Sequence, residues 1–168
     1  MRPSALLLAL LLALTGCAGY RLGPHDGLPA GARSVRVTPF VNQTAEAGLA
    51  DEVTAALRAA IQRDGTLRLA TRGPADLELT GVLKDYRRRE LSLSRSDART
   101  VQDFQVALTA HIVVRDAATG AVRLDREVGA GALLRVGEDF VSSERQVLPR
   151  LAGELARQIT SLLADGAW

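Results

Sequence analysis

A single cysteine, two histidines, one tryptophan and an aromatic content of only 4% set the first limits on this 168-residue chain. One cysteine excludes a disulfide framework within the chain, and two histidines leave little from which to build a zinc site. With aromatics so scarce, the core has to be made of Leu, Val and Ala. Few prolines, together with 47% hydrophobic and 24% charged residues, exclude a disordered or collagen-like polymer. The net charge of +2 is too small for the electrostatic footprint of a nucleic-acid binder. The length suits one domain.

Enzyme motifs are missing as well. The sequence has no HExxH and no G-x-S-x-G elbow. Gly129-x-Gly131 carries Leu134 where a dinucleotide fingerprint needs its third glycine. His25 and His111 fall far apart, the latter on the polar side of a strand, where solvent or a partner suits a histidine better than a metal does. The expectation is a noncatalytic protein with no metal ligands.

What is present begins at the N-terminus. Arg2 precedes an unbroken apolar run over residues 5–14. Ten helical residues span about 15 Å, half of a bilayer core, so the run is too short to cross a membrane and fits a signal-peptide hydrophobic region. Leu14-Thr15-Gly16-Cys17 follows and resembles the bacterial lipobox, in which the cysteine receives a diacylglyceryl group and then an N-acyl chain. Ordinary cleavage beside a chance cysteine is the alternative, and it leaves unexplained why the lone cysteine stands where lipidation needs it. Several acyl chains anchor a protein stably. Ala18 replaces the aspartate that retains many such lipoproteins at the inner membrane, so the expected address is the periplasmic face of the outer membrane. The expected layout is a signal peptide over 1–16, a lipidated N-terminus and tether over 17–33, and a single α+β domain over 34–168.

Within that domain, residues 34–40 alternate briefly and read as a strand, with Pro39 at its end. Asn42-Gln43-Thr44 reads as a turn rather than a glycosylation acceptor. Leu49, Val53, Leu57 and Ile61 recur every fourth residue, widened by Ala56 and Ala60, and predict a one-sided helix ended by Asp64-Gly65. Strands are predicted over 76–86, 104–114 and 122–136, the last two joined by a hairpin turn at residues 116–120. Arg126 interrupts the inward pattern of the last strand and suggests a bulge. A final helix has Leu148, Leu151, Leu155, Ile159 and Leu162 as its stripe, with a capping box at Ser143 and Gln146. Pro149 means that this helix either kinks or starts near Leu148. The order β-α-β-β-β-α predicts a two-layer α+β sandwich, with two helices on one face of an about four-stranded mixed sheet.

Six basic residues, Lys84, Arg87, Arg88, Arg89, Arg95 and Arg99, crowd the end of one strand and the loop to the next, against Asp85, Glu90 and Asp97. A solvated hairpin extension accounts for them. So does anion recognition, since guanidinium forks match phosphate oxygens and stay charged. Leu91 and Leu93 add an apolar component suited to an amphiphile, which in a periplasmic setting means lipopolysaccharide.

The chain resembles the lipopolysaccharide-assembly lipoproteins of the LptE type. The likeness covers Cys17-Ala-Gly-Tyr20-Arg-Leu22 and Leu28-Pro29, then Val35-Arg-Val37-Thr-Pro39-Phe40-Val-Asn42-Gln-Thr44. It continues through Gly48-Leu49, Val53-Thr54-x-Ala56-Leu57, Ala75-Asp76-Leu-Glu-Leu-Thr-Gly81 and the 116–120 hairpin. The resemblance implies an α+β domain lodged in a large outer-membrane barrel, LptD, as plug and assembly aid during lipopolysaccharide export. It also implies lipopolysaccharide contacts near the loop between the second and third strands. Arg95 falls there, with Arg99 nearby and the Arg87, Arg88, Arg89 run as a looser match. Polar strand faces would then meet a hydrophilic barrel lumen, although solvent demands the same polarity.

Two other classes compete. A lipoprotein activator of a peptidoglycan synthase would have to reach the inner membrane. Residues 18–33 extend at most about 55 Å, which favours a partner at the same membrane. A soluble lipid or glycan carrier would need a lined cavity.

Overall fold

The computed structural model describes residues 34–93, 101–135 and 140–166. The expected signal peptide and tether, with Cys17, lie outside the described residues, as do Arg95 and Arg99.

Two helices cover one face of a six-stranded mixed sheet. The strands are β1 (Ser34–Val37), β2 (Val41–Asn42), β3 (Arg68–Leu69), β4 (Leu77–Leu93), β5 (Val101–Asp116) and β6 (Val122–Arg135). The helices are α1 (Leu49–Asp64), between β2 and β3, and α2 (Phe140–Asp165), after β6. The sheet order is β3-β1-β4-β5-β6, with β2 also paired to β4. β1 is parallel to both β3 and β4, and β4-β5-β6 is an antiparallel meander. The α+β sandwich read from the sequence is therefore present, enlarged by β2 and β3, each only two residues long.

Period-two alternation builds the floor of the core. Leu77, Leu79 and Leu83 of β4 and Val106, Leu108, Ala110, Ile112 and Val114 of β5 point to the helices and are buried. From α1, Leu49, Val53, Leu57 and Ile61 meet them, as the four-residue spacing requires. From α2 the buried row is Val147, Leu151, Leu155, Ile159 and Leu163, with Ala152 and Ala156 beside it. Leu148 and Leu162, assigned to the stripe by the sequence, are only partly buried at its margins. Each fully buried Leu or Ile stabilises the fold by about 1.5–3 kcal/mol relative to exposure.

The ends of α1 are set by backbone freedom. Gly48 and Gly65 take φ of 78° and 76°, which side chains with a Cβ rarely adopt, and the Gly65 N–H donates to the Ile61 carbonyl. α2 differs from the sequence reading. It starts at Phe140, so Ser143 lies inside the helix rather than capping it, and the helix runs through Pro149 instead of starting near Leu148. Arg126 is a second correction. It pairs in register with Ile112 without a bulge, and the ladder's register shift falls at Val114/Arg115. Arg126 keeps the helix-side orientation and is nonetheless exposed, at an open cleft between β6 and α2.

The turns follow the sequence closely. Asn42 Oδ1 accepts from the Thr44 N–H at 3.0 Å and from the Thr44 hydroxyl at 2.7 Å, closing an Asx turn. In the β5–β6 hairpin, Asp116 Oδ1 accepts from the Ala118 and Thr119 N–H groups, and Gly120 has φ 72°.

Candidate functional surface

The arginine run sits on β4 beyond a bulge. Leu83 pairs with Ala110 and Asp85 with Thr109, so Lys84 is an extra residue that resets the alternation. Beyond it Tyr86, Arg88 and Glu90 pair with Leu108, Val106 and Phe104 on the helix side. Asp85, Arg87 and Arg89 pair with Thr109, Ala107 and Gln105 on the open side.

The three consecutive arginines are thus split between two faces. The Arg88 guanidinium carbon lies 5.9 Å from the centre of the Tyr86 ring, a cation–π distance. Arg87 Nε is 2.5 Å from Asp85 Oδ2. Arg89 has no ion pair among the described residues. Of the five arginines singled out from the sequence, the described residues therefore bring Arg87 and Arg89 together and turn Arg88 away.

The rest of the open face is charged and internally paired. Arg36 and Glu78, facing each other across β1 and β4, are 2.9 Å apart. His111 Nε2 lies 2.6 Å from Asp125 Oδ1, and Lys84 Nζ donates to Gln43 Oε1 at 3.2 Å. At the hairpin end Arg123 Nη2 is 2.9 Å from Asp116 Oδ2. That guanidinium, helped by the Thr119 N–H and hydroxyl and by the Ala118 N–H, lowers the Asp116 carboxyl to about 2. Exposed pairs of this kind contribute little to stability. Their effect is to hold a polar sheet face in a defined arrangement.

The individual pairs could not be read from the sequence, though the alternation that makes this face polar could. Among the described residues, no group of three or more His, Cys, Asp or Glu side chains is placed to hold a metal ion. No helix among them is long and apolar enough to cross a membrane.

A mixed sheet with one face covered by two helices and the other open and charged is a two-layer α+β architecture. Solved structures share this fold. A hypothetical protein of Chlamydia trachomatis aligns with a TM-score of 0.60 at 11% identity, over 79% of this chain and 96% of its own. The PelC dodecamer of Paraburkholderia phytofirmans gives 0.57 at 17% identity, over 82% and 93%. A minor lipoprotein of Acinetobacter baumannii gives 0.52 at 14%, over 79% and 93%. No curated protein matches the sequence. The model of the LptE lipopolysaccharide-assembly family matches residues 32–163, nearly the whole domain, and the chain belongs to that family.

Proposed function

We propose that this lipopolysaccharide-assembly lipoprotein is anchored through lipid on Cys17 at the periplasmic face of the outer membrane. There it plugs an LptD-type β-barrel, aids its assembly, and assists the passage of lipopolysaccharide to the outer leaflet without catalysing a reaction. The observation that carries this reading is the family match over residues 32–163. The open sheet face supports it physically, since a polar barrel lumen calls for charged and hydrogen-bonding side chains on what fills it. In this reading the arginines act as anion contacts: Arg87 and Arg89 from β4, with Arg95 and Arg99 from the loop that follows. Arg88, turned to the helix side, has no part in that contact.

A tagged pull-down of the lipidated protein from native outer membranes, in mild detergent with mass spectrometry, tests the reading. Recovery of one large β-barrel in near-equal amount is the expected result. Recovery of a peptidoglycan synthase instead, or of no barrel under conditions that preserve other barrel complexes, would refute it.

A further inference from the structure

β6 is the outer strand of the sheet, paired only with β5 among the described residues. Proteins protect such edges with short length, proline, bulges or charge. β6 has 14 residues and no proline, and its ladder with β5 runs unshifted from Asp103↔Arg135 to Val114↔Leu124. Four of its five charges sit in the first half, at Arg123, Asp125, Arg126 and Glu127, and the fifth, Arg135, ends the strand. Two of these are drawn back over the protein's own sheet, Arg123 to Asp116 and Asp125 to His111. Residues 128–134 carry no charge at all.

The glycines in that stretch have no internal explanation. Neither Gly129 nor Gly131 has positive φ. A Cβ at Gly129 would meet only the Leu108 carbonyl oxygen at 3.8 Å, and one at Gly131 only that of Val106 at 3.7 Å, both ordinary contacts. Glycine weakens a strand unless a ligand or another backbone comes close.

Alongside the edge lies an open cleft of about 350 Å³ between β6 and α2, lined by residues 126–129 of the strand, with Arg126 and Glu127 as its charges, and by Gln158, Ser161 and Leu162 of the helix. The Arg126 side chain has no hydrogen bond or ion pair among the described residues. A strand added to β6 would drop every second side chain into this cleft. The Arg126 fork suits a carboxylate, and Val128 and Leu162 suit an apolar neighbour.

The geometry points to the β6 edge as a β-augmentation site for an extended segment of the barrel partner, one that places an acidic side chain on Arg126. This rests on the barrel reading above. A barrel's wall strands are saturated by one another, so the segment comes from a loop or a terminus.

Hydrogen exchange, read by mass spectrometry on the purified barrel complex and on the chain alone, tests it. Amides of residues 128–134 are expected to exchange at least about tenfold more slowly in the complex. Arg126→Glu, at an exposed and unpaired residue, is expected to cut barrel recovery about tenfold, whereas Arg68→Glu on the opposite sheet edge leaves recovery unchanged. A complex whose β6 amides exchange as in the free chain would overturn the proposal and leave the barrel reading standing. Failure to recover any barrel with the wild-type chain would overturn both. Protection already present in the chain alone, growing with its concentration, would assign the edge to a second copy and likewise overturn the proposal.

Discussion

The ring of Phe40 lies directly on Gly81. A Cβ built on that glycine would sit 2.2 Å from Phe40 Cε1 and 2.4 Å from Cζ, well inside van der Waals contact. Gly81 lies on the helix side of β4 between Leu79 and Leu83, and the buried Phe40 ring fills the space a side chain would occupy. Gly81→Ala is therefore expected to destabilise the domain by about 1–3 kcal/mol through overpacking. Phe40→Leu loses packing of its own, and the double variant should lose less than the sum of the two. Urea midpoints for the four proteins of the cycle check this; strict additivity would mean that the two residues do not touch in solution.

Phe40 is also tied through its backbone. Its N–H donates to the buried Thr54 Oγ1 at 3.0 Å, and that hydroxyl donates to the Ala50 carbonyl at 2.7 Å. Thr54→Val keeps the shape and strands a buried N–H, which costs about 1–3 kcal/mol. Thr54→Ser keeps the hydroxyl and should cost less. Thermal unfolding of the two variants is expected to rank them in that order, and equal midpoints would remove the hydrogen bond from the account.

The hairpin carries a pH signature. Asp116 has its carboxyl lowered from 3.8 to about 2, chiefly by Arg123. A depressed folded-state pKa gives stability that is fully present above about 4 and is lost as pH falls toward 2. The wild type and Asp116→Asn should differ in urea midpoint at pH 6 and converge near pH 2. A difference that stays constant over that range would mean that the charge is not the cause.

Splitting the arginine run between two faces separates its members experimentally. Arg87→Glu and Arg89→Glu, on the open side, are each expected to weaken lipopolysaccharide binding about tenfold, the scale of a lost charge-assisted hydrogen bond. Arg95→Glu and Arg99→Glu should weaken it similarly. Arg88→Glu, beside Tyr86 on the helix side, should leave affinity within about twofold. Titration calorimetry at matched salt decides it; an equal loss at Arg88 would show that charge alone, and not the face, governs binding.

Much of the fold was legible because its signals are local. The alternation from Phe104 to Val114 needs a period of two, and the row Leu49, Val53, Leu57, Ile61 needs a helix. Asp116 and Gly120 mark a turn by their own chemistry. β2 and β3 were missed because two residues carry no period, and they exist only through their partners in β4 and β1. The bulge at Lys84 was invisible for a similar reason: either alternation fits the sequence, and only the pairing with Ala110 and Thr109 fixes where the frame changes. Arg126 pointed the other way. The sequence suggested a bulge to remove a charge from the core, whereas none is needed, since Arg126 is exposed at the cleft between β6 and α2 while its row neighbours Leu124 and Val128 stay buried. In the candidate surface, basic character could be read residue by residue, but the division between faces could not.

Native mass spectrometry of the detergent-extracted complex tests the plug account most directly. The account expects one species containing a single β-barrel and a single copy of this chain, the latter carrying the mass of its acyl groups on Cys17. A complex of this chain with a peptidoglycan synthase, or the chain alone from membranes whose other barrel complexes survive extraction, would contradict it.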